Sequence, residues 1–193
     1  MTDLWTLDAS DGELTVRTGV TGPAARMGHR LTILMTRWQA TATWVDGTPT
    51  AAELAVEVDS MEVQSGEGGV KVLSGPEKSL VRSNALRSLN AGRFPEIRFV
   101  ADAVDETEGG YRLTGVLSIR GKSREHVIDL RTEDLGESWR MSAASTVRQS
   151  DYGIKPYSMM MGAMQVADEV TVSFEAVRAK TADYSGGLSV KSP

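Results

Sequence analysis

The chain has 193 residues, 40% hydrophobic and 24% charged, with a formal net charge of −5 and no cysteine. This suits one globular domain with a sizeable core. It excludes disulfides, thiolate metal sites and a cysteine nucleophile, and an acidic chain without a Lys/Arg cluster offers nucleic acid no electrostatic footprint.

At the N-terminus, Met1–Asp8 has neither a basic n-region nor an apolar h-region, which predicts a cytoplasmic protein. No run reaches the roughly 18 apolar residues of a membrane helix. Pro23 to Met27 allows a short helical turn. In Arg30 to Val45, Leu31, Ile33, Leu34 and Met35 are apolar on both faces. Trp38, Ala40, Ala42 and Trp44 then alternate with Gln39, Thr41 and Thr43, so a bend is expected near Met35 to Arg37. After a turn at Asp46-Gly47-Thr48-Pro49, Leu54, Val56 and Val58 oppose Glu53, Glu57 and Asp59, the pattern of a half-buried antiparallel strand. Ser74 to Leu89 breaks the rhythm: Leu80, Val81, Asn84 and Leu89 lie at roughly helical spacing, with Gly92 as the expected stop.

Arg93-Phe94-Pro95-Glu96-Ile97-Arg98-Phe99 returns to strand, Pro95 biasing Phe94 toward extended backbone. Tyr111, Leu113, Leu117 and Ile119 form another stripe with Gly115 on its apolar side, between turns at Glu108-Gly109-Gly110 and Gly121-Lys122-Ser123. Trp139, Met141, Ala143 and Val147, then Val170, Val172, Phe174 and Ala176, repeat the pattern. The expectation is one all-β domain with one principal helix over residues 1–178, an antiparallel β-barrel, and a mobile tail over 179–193. Strand edges leave a homodimer open.

Catalytic motifs fail on inspection. Gly121-Lys122-Ser123 ends like a phosphate loop, but the glycine required five residues earlier is Val116, and strands surround it. The two histidines, His29 and His126, have no paired metal-ligand spacing. There is no Gly-x-Ser-x-Gly elbow, and an enzyme acting inside the barrel would have to recruit His29 or His126 with Asp151. The interior is better suited to holding something. Aromatic residues are 6% of the chain, and inward positions such as Ala40, Ala42, Val56, Val58, Gly115 and Ala143 are small. Tyr157 to Met164 carries Met159, Met160, Met161 and Met164, flexible thioethers that would form a lid over an apolar ligand, or else fill an irregular core gap or make a sticky loop.

Trp5-Thr6-Leu7-Asp8, Gly28-His29-Arg30-Leu31, Phe94-Pro95-Glu96-Ile97-Arg98-Phe99, Gly115-Val116-Leu117-Ser118-Ile119-Arg120-Gly121, Asp151-Tyr152-Gly153-Ile154 and Asp168-Glu169-Val170, in that order, resemble the YceI-like family over about residues 4 to 177. The resemblance implies an extended lipocalin-like barrel of about eight strands. It also implies an elongated apolar cavity for a polyisoprenoid or isoprenoid quinone, with no cofactor required and no catalysis. Many family members carry a periplasmic leader, which Met1–Asp8 does not show. The candidate wall is Leu34, Trp38, Leu54, Val56, Phe99, Leu113, Leu117, Ile128, Met141, Val172 and Phe174. The candidate mouth or lid is Arg30, Arg148 and Lys155 with Tyr157, Met159, Met160, Met161 and Met164. The rival expectation is a barrel with a filled core serving as a protein-interaction or stress-associated module.

Overall fold

The computed structural model describes residues 1–180. The apolar stripes become β1 (Thr2–Asp8), β2 (Gly12–Thr21), β3 (His29–Met35), β4 (Trp38–Val45), β5 (Thr48–Glu57) and β6 (Met61–Gly68). The α-helix α1 (Gly75–Leu89) follows, then β7 (Glu96–Thr107), β8 (Gly110–Ile119), β9 (Lys122–Asp134), β10 (Ser138–Arg148), β11 (Ser158–Met159) and β12 (Met164–Ala179). All belong to one antiparallel sheet.

Several of these segments are halves of longer, kinked strands. β1 pairs β4 while β2 pairs β3, and only Thr36 and Arg37 separate β3 from β4. β5 and β6 flank the 3₁₀ turn Val58–Ser60 and pair β4 and β3 in turn. With each kinked strand taken once, the sheet runs β1/β2, β3/β4, β5/β6, β7, β8, β9, β10, β12, and the β12–β2 ladder returns to its start. The result is an eight-stranded curled barrel whose free edges, β1 and β6, lie at opposite ends of the kinked hairpin.

The expected bend falls at Thr36–Arg37 and is pinned by polar contacts. Thr36 donates from its amide and its hydroxyl to Ser60 O, at 3.1 and 2.9 Å, and the buried Ser60 hydroxyl donates to Glu57 O at 2.7 Å. Arg37 meets Glu57 and Asp59 at 2.5 and 2.6 Å. The hairpin after β8 turns at Arg120–Gly121 (φ 51° and 72°), so Lys122 and Ser123 begin the next strand rather than forming the turn.

α1 opens with a capping box, Ser74 with Glu77, and has Pro in its first turn. It stops at Asn90, left-handed at φ 52°, before the expected Gly92 is reached. The helix lies beside the free edge of β6, whose unpaired carbonyls it satisfies. Arg82 donates to Met61 O at 2.8 Å and Lys78 to Gln64 O at 2.8 Å, and Arg82 also reaches Asp59 O in the 3₁₀ turn that precedes β6. Of the tail expected over 179–193, Ala179 ends β12 and residues 181–193 lie outside the described part.

Candidate ligand-binding cavity

The barrel interior divides into a filled end and a hollow one. Aromatic side chains plug the filled end. Trp38 meets Phe174 edge-on with centroids 5.4 Å apart, Trp5 lies against Trp44 at 4.7 Å, and Trp44 meets Tyr111 edge-on at 6.4 Å. Buried Leu7 and Met141 complete this packing. Toward α1 the inward positions are mainly aliphatic, with a few uncharged polar ones, and a cavity of about 350 Å³ remains. No Lys, Arg, Asp or Glu is among its lining residues. Within the described residues, therefore, the core is not filled throughout.

Of the expected wall, Leu54, Val56, Phe99, Leu117, Ile128 and Val172 line the cavity. Trp38, Met141 and Phe174 do not: they belong to the packed interior beyond it. Leu113 packs against the cluster built around Phe99 without reaching the cavity. Leu34 is a correction of face, because its neighbours Ile33 and Met35 take the inward positions of β3. β2 supplies Leu14, Val16, Thr18 and Val20, which sequence reasoning missed although they alternate cleanly with Thr15, Arg17 and Gly19. α1 roofs the cavity with Val81, Asn84, Ala85, Ser88 and Leu89, while Leu80 turns outward, 62% exposed.

At the open end, Tyr157, Met159 and Met164 line the cavity. Met160 and Met161 do not; they form the outer tip of the segment, and Met161 is fully exposed at 106%. Both sit at positive φ, 52° and 58°, a backbone state that costs a side-chain-bearing residue about 1 kcal/mol or more. The tip is moored where Ala24 N donates to Ala163 O at 2.8 Å. The expected mouth cations are elsewhere. Arg30 and Arg148 alternate with inward His29, Leu31, Val147 and Gln149, so both face solvent. Arg148 donates to Glu169 at 3.0 Å, and Lys155 is exposed and outside the lining.

Two histidines border this apolar space. His29 Nε2 lies 2.6 Å from Lys71 O at the rim. His126 sits inside, its Nε2 2.7 Å from Ser145 Oγ and its ring edge-on to Phe99. Burial holds the His126 imidazole below its usual pKa, so it is neutral at neutral pH. Asp151 joins neither histidine: it is exposed, and its backbone carbonyl accepts from Arg124. The constellation that a rival enzyme inside the barrel would need is thus not assembled among the described residues, nor is any group of three or more potential metal ligands.

Fold and cavity together define an antiparallel barrel with an apolar, ligand-sized chamber under a helix. The chain belongs to the YceI-like domain family, whose model matches residues 5–178. Among solved structures it is similar to BcnA of Burkholderia cenocepacia, with 15% identity and a TM-score of 0.67 over 90% of this chain and 99% of that one. It is also similar to the YCEI protein of Campylobacter jejuni, at 14% identity and a TM-score of 0.51 over 69% and 74% of the two chains. A mutant of that protein with a monobromobimane guest gives 13% identity and a TM-score of 0.58 over 77% and 84%. At these identities the likeness is one of fold. No curated protein sequence matches the chain. No helix among the described residues is long and apolar enough to cross a membrane.

Proposed function

We propose that the protein is a non-enzymatic carrier that takes a long isoprenoid-type lipid, a polyisoprenoid or an isoprenoid quinone, into its barrel for storage or transport. The observation that carries this reading is the cavity: about 350 Å³ of interior space lined without a single charged side chain. Such a chamber has nothing to offer a charged substrate and much to offer hydrocarbon. Each methylene moved from water into it contributes about 0.8 kcal/mol, so a branched apolar chain binds without elaborate polar chemistry. The reading needs no cofactor. A filled-core interaction module, the rival expectation, would leave no such chamber.

Filling the chamber tests the reading. Val56→Phe and Leu117→Trp each place an aromatic ring at a lining position. Both are expected to weaken uptake of a radiolabelled polyprenol at least about tenfold while the β-sheet circular dichroism is kept. Part of that loss is displaced contact area and part is overpacking. Unchanged uptake in both folded variants would contradict the assignment.

A further inference from the structure

The chamber's polar groups say what kind of head its ligand carries. Along β10 the lining residues are Ser145 and Val147, with Gln149 just beyond its end, and the next inward side chains below Ser145 are Ala143 and Met141, toward the filled end. Ser145 therefore marks the deep end of the chamber on this strand. Across from it His126 projects from β9, and backbone pairing between β9 and β10 is confined to Trp139–Ser142 against Arg131–Asp134. Beyond that short ladder the two strands are bridged by the His126–Ser145 contact at 2.7 Å.

This pair keeps hydrogen-bonding capacity in reserve. A neutral imidazole has one donor nitrogen and one acceptor nitrogen, and a hydroxyl both donates and accepts. If Nε2 accepts from Ser145, the Nδ1–H is left to donate and the serine lone pairs to accept. If Nε2–H donates, the Ser145 O–H and Nδ1 are left instead. Neither group makes another hydrogen bond among the described residues. In both tautomers the pair offers a ligand one donor and one acceptor, deep in an apolar chamber with no cation to neutralise a phosphate.

We infer that His126 and Ser145 are a head-group anchor that selects an isoprenoid lipid with a neutral hydroxyl or carbonyl head over one ending in a phosphate or diphosphate. The head is held deep and the hydrocarbon tail runs past Val147 and Val170 toward Tyr157 and Met159 at the opening. This inference rests on the carrier reading and adds the class of head group and its orientation. It also replaces the cationic mouth expected from Arg30, Arg148 and Lys155, none of which lines the chamber.

The test uses three probes on the delipidated full-length chain: geranylgeraniol, geranylgeranyl diphosphate with the same tail, and phytane, a hydrocarbon without a head. Binding is read by equilibrium partitioning with lipid mass analysis. The alcohol is expected to bind at least about tenfold more tightly than the diphosphate. His126→Leu and the smaller change Ser145→Ala, each checked for fold by circular dichroism, are expected to lose about tenfold in alcohol affinity and leave phytane unchanged, the effect of one hydrogen bond. A diphosphate bound as tightly as the alcohol, or a Ser145→Ala protein that holds the alcohol like the unmodified chain, would overturn the anchor while leaving the carrier standing. If none of the three probes enters, the carrier reading falls and the anchor with it.

Discussion

Gly115 shows how closely the barrel wall is drawn at single positions. It lies opposite Ala101, which is wholly buried, beside a β-bulge between Ala101 and Ala103. A Cβ at Gly115 would lie 2.1 Å from Val100 O and 2.5 Å from Ala101 Cα, both backbone atoms that cannot swing aside. Gly115→Ala is therefore expected to cost about 1–3 kcal/mol and to lower the melting temperature by several degrees; a thermal scan indistinguishable from that of the parent would contradict this. The same scale shows what alternation reveals and what it hides. Period two places Val56, Phe99, Leu117 and Val172 on the inner face, where they are found. It does not say how far along the barrel each one lies. Trp38, Met141 and Phe174 face inward as expected, yet strand stagger puts them in the plug rather than in the cavity wall.

The helix α1 is the element whose existence was legible and whose orientation was not. The Ser74-x-x-Glu77 pattern is there to be read, but the exposure of Leu80 depends on tethers to β6 that have no sequence signature. Those tethers make the roof testable. Arg82→Ala removes the donors to Met61 O at the start of β6 and to Asp59 O in the 3₁₀ turn before it, and is expected to weaken local protection by about 2 kcal/mol. Amide exchange across Gly75–Leu89 should speed up and bound lipid should dissociate faster. Exchange rates matching the parent would show that the tethers do not hold the helix.

The start of α1 also responds to acid. The hydrogen bond from Lys71, followed by those from the Ser74 backbone and hydroxyl, lowers the Glu77 carboxyl to about 2. A carboxylate depressed on folding adds stability that is present above its unfolded value, near 4.5, and is lost as pH falls through about 2. Protection of the first helical turn should therefore decline between those limits. Glu77→Gln should flatten this response, and a parent-like acid profile in that variant would assign the response to another group.

At the scale of the whole molecule, the division into a plug and a chamber follows from where the chain spends its few aromatic residues. Trp38, Trp44, Tyr111 and Phe174 gather at one end, whereas the other is lined mainly by valine, leucine, isoleucine and methionine, with Phe99 and Tyr157 its aromatic members. Composition could hint at a hollow barrel because only 6% of the residues are aromatic. It could not locate the hollow, which depends on the register of eight strands and on three kinked strands counted as six segments. Only part of the methionine segment takes the lid position: Met159 and Met164 border the chamber, while Met160 and Met161 are exposed and pack into neither chamber nor core.

The central claim is that this chamber holds an isoprenoid lipid, and native mass spectrometry of freshly purified full-length protein, followed by organic extraction and lipid mass analysis, tests it most directly. The account expects a protein mass increased by one lipid, and an extract dominated by a polyisoprenoid or isoprenoid quinone. A bare protein mass that stays bare after incubation with a long-chain polyprenol would contradict it.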